Sequence, residues 1–281
     1  MRYNFRGRFE VLWVAAIVLV AAPVGVWAGA WSRAPGSYYA KVSGLLYDSE
    51  DVFNDMGRRA PMGMDGERFR AGQSFLYLEY GLREHMTLVS SLSAGRLVSE
   101  DQFVESTTWG IGDVEVGIKY QLSEKALVVA PQLMLKIPSG YNANFDPAMG
   151  TGEIDVEARF LVSRSLYPLP VYFSAELGYR MRGGLYSDQM PYVIEAGATP
   201  HKRLFAKIFG SGTDTRNKDA SEASGIVGLA QVSEGDFLKV GAQLAVGITE
   251  PLWLDVLFER TVDGENVGAG TTWGIGLSLT H

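Results

Sequence analysis

The sequence contains no cysteine and only three histidines among its 281 residues. The first absence excludes a disulfide framework and any thiolate metal site. The second leaves too few imidazoles for most zinc centres, so neither a metal nor a cofactor is expected. Long apolar runs are also missing. Past the N-terminal region no stretch approaches the roughly 18 residues that identify a membrane-spanning helix. Nor is the chain basic: a formal charge of −7 and an isoelectric point near 5.1 exclude nucleic acid as a partner.

The one sustained apolar run is Val11 to Ala22, 12 residues long, behind Arg2, Arg6 and Arg8. Pro23 and the small residues Ala28-Gly29-Ala30 follow it. This order of basic, apolar and small residues is that of a secretory signal peptide. Cleavage is expected before Trp31, giving a leader of residues 1–30 and a mature domain of residues 31–281. The leader carries three arginines and one glutamate, so the mature chain is more acidic than the whole.

What the mature chain has in abundance is glycine, 33 in the full sequence, scattered among aromatic and β-branched residues without a collagen-like period. Alternation with period two is strong. From Gly110 to Leu122, Val114, Val116, Ile118, Tyr120 and Leu122 oppose Asp113, Glu115, Lys119 and Gln121. From Glu153 to Ser163, Ile154, Val156, Ala158, Phe160 and Val162 oppose Glu153, Asp155, Glu157 and Arg159. From Val171 to Arg182, an apolar set through Met181 opposes Glu176, Arg180 and Arg182.

Nine further segments bring the expected strands to 12: Tyr38–Tyr47, Ser74–Leu82, Met86–Leu97, Leu127–Ile137, Tyr192–Thr199, Arg203–Gly210, Phe237–Thr249, Leu252–Val262 and Thr271–Thr280. Pro131 interrupts one of them, which weakens that strand or puts a bulge there. Gly225–Val232 reads as a hairpin arm within a large loop; counted as membrane strands it would lead to a 14-stranded alternative.

Short and long connections alternate. Arg83–His85, Ser123–Lys125, Ser165–Pro170, Pro200–Lys202 and Glu250-Pro251 are tight. Asp48–Arg68, Val98–Thr108, Pro138–Gly152, Gly183–Pro191, Ser211–Asp236 and Asp263–Gly270 are long. Short turns on one rim and long loops on the other are characteristic of outer-membrane barrels. A chain that crosses lipid without helices must close into a barrel, because hydrocarbon offers no partner to an unpaired backbone group. The expected fold is therefore all-β: a transmembrane, antiparallel, up-and-down barrel with its apolar face toward lipid. A soluble lipocalin-like barrel is the competing reading, but twelve strands would enclose an apolar interior too wide to pack. Tyr80 and Tyr120 near the short-turn rim, and Tyr179, Tyr192 and Trp273 near the long-loop rim, fit two interfacial girdles.

Several segments resemble one family. Trp31-Ser32-Arg33-Ala34-Pro35-Gly36, Glu79-Tyr80-Gly81-Leu82, Gly110-Ile111-Gly112-Asp113-Val114, Pro138-Ser139-Gly140 with Gly150-Thr151-Gly152, and Asp263-Gly264-Glu265-Asn266-Val267 are similar, in order, to motifs of the outer-membrane transporter family of the meta-pathway of phenol degradation. The resemblance runs from about Trp31 to Leu279 and implies a transport-type barrel admitting small aromatic or apolar molecules. The C-terminal Leu277-Ser278-Leu279-Thr280-His281 departs from the terminal aromatic usual in outer-membrane barrels.

The candidate functional residues are the lumen-facing charges Asp113, Glu115, Lys119, Glu157, Arg159, Glu176, Arg180, Arg182 and Lys207. They read either as walls of opposite sign setting a transverse field, or as a cross-strand ladder of ion pairs around Glu157, Arg159, Glu176 and Arg180. Inward Phe75, Tyr77, Tyr172, Phe205 and Phe209 hint at an aromatic path. Asp48, Glu50, Asp51, Asp55 and Asp65 in the first loop read as a solvated run or a weak calcium or lipopolysaccharide-bridging site. His85, His201 and His281 all fall on the short-turn rim, where a serine hydrolase acting on outer-leaflet lipid has no use for them, so no enzyme is expected. The expected function is passive or facilitated uptake of small solutes, with outer-membrane lipid and lipopolysaccharide as surroundings. The alternative is a non-conducting structural or adhesive barrel.

Overall fold

The computed structural model describes residues 29–63, 67–216, 226–227, 231–232 and 235–281. Residues 1–28 of the expected leader, and Asp65 of the first loop, lie outside these residues. Twelve antiparallel strands close into one barrel. They are β1 (Tyr38–Ser49), β2 (Arg68–Arg83), β3 (Met86–Glu100), β4 (Glu105–Tyr120), β5 (Val128–Ile137), β6 (Asp155–Ser165), β7 (Val171–Met181), β8 (Gln189–His201), β9 (Leu204–Thr215), β10 (Asp236–Gly247), β11 (Leu252–Glu265) and β12 (Thr271–Thr280). Each pairs with its sequence neighbours, and β1 closes on β12 from Tyr39–Thr280 to Asp48–Thr271. Reciprocal backbone bonds of 3.0 Å between Tyr38 and His281 fasten that seam at the short-turn rim.

Alternation sets the two faces as the sequence implies. Val42, Leu76, Leu133, Phe160, Leu177, Ile194, Ile208, Leu244, Val256 and Ile275 project outward and are exposed. Lys119, Asp155, Glu157, Glu195 and Asp255 are buried inside. An oily exterior around a charged interior inverts a soluble protein and defines a transmembrane β-barrel of the outer-membrane type. Tyr80, Tyr120, Tyr179 and Trp273 are among the exposed aromatics.

The fourteen-stranded alternative is excluded by the closed ladder of twelve. Ile226–Val227 pairs with Gln231–Val232 as a separate two-stranded ladder outside the barrel, and the remainder of that segment lies outside the described residues. The connection placed at Val98–Thr108 is mostly strand, because β3 and β4 continue to Glu100 and Glu105. Only Asp101–Val104 turns. There the Asp101 carboxylate accepts the Phe103 and Val104 amides at 2.7 Å, which hold its carboxyl below the usual range. A long polar stretch with two turn-forming ends reads as a loop in sequence, yet backbone pairing extends it beyond the apolar belt.

Two local irregularities have clear causes. Between Leu92–Val114 and Ala94–Ile111 the register shifts by one residue, so β4 carries a bulge at Gly112–Asp113. Odd residues Trp109 and Ile111 therefore face outward above it, whereas even residues do so below. Pro131 cannot donate, and the β4–β5 ladder runs only from Val114–Ile137 to Lys119–Gln132. It resumes past the proline as one bond from Leu122 N to Val129 O, 2.7 Å.

Candidate functional site: a strapped, charge-lined lumen

Residues 29–37 enter the barrel from the short-turn rim and run as a strap along its inner wall. Ala30 is fully buried among Val128, Ala130 and Leu161, and its amide donates to Ser163 Oγ at 3.0 Å. Ser32 N and Oγ both donate to Gln121 Oε1, at 2.7 and 3.0 Å. Arg33 N donates to Thr87 Oγ1 at 2.8 Å, while its guanidinium pairs with Glu79 at 2.8 Å. Trp31 meets Tyr172 edge-on, with centroids 5.7 Å apart.

This strap explains two of the sequence motifs as halves of one device. Gly81 of the Glu79–Leu82 segment lies against the backbone of Ala34, so a Cβ there would fall 2.0 Å from Ala34 O. Gly36, at φ +79°, turns the chain out of the strap while its amide bonds Gly81 O at 2.8 Å. Glu79 two residues earlier holds Arg33. Sequence reading placed these segments apart and had no means of joining them.

Glu79 is also the partner of Lys119, at 2.9 Å, and each of these side chains is only 1–2 % exposed. Lys119 spends a second donor on Gly29 O, 2.9 Å away. Around them the lumen charges pair with neighbours. Glu157 binds Arg159 and, at 2.7 Å, Arg180; Arg159 also reaches Glu176 at 2.9 Å. Lys136 bridges Asp155 at 2.7 Å and Asp113 at 3.3 Å, with Arg182 4.0 Å from Asp155. Lys207 meets Glu195 at 2.9 Å, and Lys41 meets Asp255 at 2.8 Å. Acidic and basic residues are thus interleaved and bonded at close range instead of forming two opposed walls. Arg203 lies in the β8–β9 turn and is exposed. Glu115 accepts from Ser91 at 2.9 Å and, among the described residues, forms no ion pair.

The extracellular half is narrowed by the segment between β5 and β6, which folds inward and buries Ala148 and Met149. Tyr141 donates to Asp113 of the β4 bulge and accepts the Gly152 amide at 2.9 Å. Burial and the neighbouring carboxylate push its phenol pKa up. Gly150 is required here, since a Cβ would stand 2.1 Å from Tyr141 Oη. Gly152 has φ +77° and similarly excludes a side chain, 2.8 Å from Ala143 Cβ. Gly150→Val is therefore expected to expel Tyr141 from Asp113 and release the inward segment, with more rapid proteolytic cleavage between Pro138 and Ile154 in folded protein. Unchanged cleavage would show that the segment is held by other contacts.

Two apolar clusters bracket the charged middle. On the extracellular side Tyr47, Met62, Phe69, Ala71, Leu97 and Met149 pack together. On the periplasmic side Tyr172, Phe205, Ala245 and Trp253 pack with Trp31, the Tyr172 and Phe205 rings stacked 6.3 Å apart. Of the aromatic residues read as inward from sequence, only Tyr172 and Phe205 belong to this cluster. The cation of Lys207 lies over Phe209, and Tyr77 meets Tyr39 edge-on. Neither Trp31 nor Trp253 is read as inward from the sequence, because Trp31 precedes every strand and Trp253 is the second residue of β11. In the first loop, Asp48 and Glu50 pair with Arg68, and Asp51 with Arg59 at 2.7 Å. No metal-binding cluster occurs among the described residues. His85, His201 and His281 stand at the short-turn rim: His85 in the β2–β3 turn, 3.4 Å from Glu124, His201 ending β8, and His281 against Tyr38.

The protein is thus an outer-membrane β-barrel with a polar lumen obstructed from both ends. No protein-family model matches its sequence, and no curated protein does. Its fold is similar to that of the COG4313 outer membrane channel from Pseudomonas putida F1, at a TM-score of 0.70 and 15% identity over 92% of this chain and all of that one. The NanC porin follows at 0.54 and 10% identity, covering 85% of this chain and 98% of its own. The KdgM porin crystallised with disordered oligogalacturonate gives 0.50 and 10% identity over 86% and 99%.

Proposed function

We propose that the barrel is a channel for passive or facilitated uptake of small molecules, held nearly closed by the strap. The observation that carries this reading is the division of the interior space. A vestibule of about 750 Å³ opens at the short-turn rim, lined by Trp31–Pro35, His85, Gln121 and Glu124. A smaller cavity of about 120 Å³ lies deeper, lined by Gly29, Glu79, Lys119, Glu157 and Arg159. Strap residues line both, Trp31–Pro35 the vestibule and Gly29 the deeper cavity. A solid scaffold needs no such spaces, whereas a channel with a removable obstruction has them on either side of it.

Cargo of small aromatic or apolar type is the reading we favour. It is supported by the resemblance in the motifs and by apolar clusters at both ends of the path. Within the periplasmic cluster Trp253 is buried, and its indole N–H has no acceptor among the described residues. A buried donor costs free energy until an acceptor arrives, and a phenolic or carbonyl oxygen on an aromatic solute supplies one. The lumen charges Asp113, Glu115, Lys119, Glu157, Arg159, Glu176, Arg180, Arg182 and Lys207 would then set selectivity by sign and spacing.

Planar-bilayer recording of the purified protein, paired with liposome swelling in phenolic, sugar and anionic solutes, tests this. Small discrete openings and preferential swelling with phenolic solutes are expected. A folded but silent barrel would favour the structural or adhesive alternative.

A further inference from the structure

We infer that the mature chain begins at Gly29, two residues ahead of the cut expected from Ala28-Gly29-Ala30, and that its α-ammonium group is a built-in cation of the lumen, lodged against Glu115. This goes beyond the channel reading and holds whether or not the barrel conducts.

The first observation is the fit of Gly29 and Ala30. Ala30 is fully buried and its amide is bonded to Ser163. Gly29 O accepts from the buried Lys119. A Cβ at Gly29 would stand 2.6 Å from both Ser163 Oγ and Ser174 Oγ, themselves 2.7 Å apart, so a side chain there would have to displace both hydroxyls. Removing these residues would leave Lys119 without its carbonyl and a gap among Val128, Ala130 and Leu161.

The second observation is the cavity that Gly29 lines. Four carboxylates share its wall: Glu79, Glu115, Glu157 and Glu176. Glu79 is neutralised by Lys119 and Arg33, Glu157 by Arg159 and Arg180, and Glu176 by Arg159. Glu115 alone has no cation among the described residues. A half-buried carboxylate without a cation, sharing a cavity with Gly29, is the site an α-ammonium at Gly29 would occupy, with three donors and one positive charge.

The third is size and sequence: a cavity of about 120 Å³ has room for one ammonium group. In the sequence, Ala28 supplies the small residue before such a cut, with the short side chain of Val26 two positions earlier.

The test uses protein purified from outer membranes. N-terminal sequencing and intact mass are expected to give a chain starting at Gly29. A chain starting at Trp31, lighter by one glycine and one alanine, overturns the inference. Labelling with an amine-selective acylating reagent near neutral pH, where α-amines react ahead of lysines, then reads the second half. The Gly29 amine is expected to be protected in the folded barrel and reactive after denaturation. Equal labelling in both states would overturn the lodged ammonium. In Glu115→Gln the same start is expected, with protection lost; retained protection in a folded variant would remove Glu115 as the partner.

Discussion

Replacing Gly81 by valine is expected to raise single-channel conductance severalfold while leaving the barrel folded. The valine Cβ would fall 2.0 Å from Ala34 O and 2.9 Å from Arg33 O, both backbone atoms with little freedom to move. β2 is paired with β1 from Phe69 to Tyr80 and with β3 from Arg68 to Gly81, which makes it the stiffer party, so the strap must yield. With it go the Arg33–Glu79 pair and the Trp31–Tyr172 contact, and the vestibule joins the deeper cavity. Valine is itself a good strand residue, so heat-modifiable migration on gels is expected to remain that of a folded barrel. A folded variant with unchanged conductance would show that the strap does not obstruct the path.

Lys119→Met should produce the largest loss of stability. Lys119 and Glu79 are almost completely withdrawn from solvent, and removing one member of a buried pair typically costs about 3–5 kcal/mol because the other charge is left uncompensated. Arg33 still reaches Glu79, which places the expected cost at the lower end of that range. Reversible urea unfolding in detergent or liposomes measures it. Adding Glu79→Gln to the same chain is expected to restore part of the loss, since the stranded carboxylate is then gone. If Lys119→Met unfolds at the same urea concentration as the parent, water reaches this pair and the strap is not packed over it.

Much of the barrel is legible because a lipid-facing wall enforces period-two alternation on each strand. Val114, Val116 and Ile118 fall on one face and Glu115 and Lys119 on the other, and the strand count, not the alternation, turns the apolar face outward. Strand ends are less legible. Ser99 to Glu105 carries no alternation because both faces are wet there, and only pairing across Asp101–Val104 shows that the strands persist. The β4 bulge is equally hidden: Gly110, Gly112 and Asp113 give no sign of which residue is extra.

The lumen divides in the same way. That Glu157, Arg159, Glu176 and Arg180 point inward follows from alternation, and that they meet follows from the neighbouring positions of β6 and β7. The strap is different in kind. Nothing in Trp31–Gly36 has periodicity, and its partners Glu79, Thr87, Gln121, Ser163 and Tyr172 are spread over more than ninety positions. A contact between an aperiodic segment and four separate strands and a turn leaves no local signature. Its nearest trace is Gly81, a glycine inside a strand, which commonly marks a close approach by other backbone.

Because the strap runs without a break into β1 through Gly36, it behaves as a ligand that can unbind but never diffuse away. Short flexible tethers keep such a ligand at an effective concentration on the order of millimolar. A solute at micromolar levels cannot displace it by occupancy alone; it has to bind the lumen more tightly than the strap does, or cross during the intervals in which the strap is out.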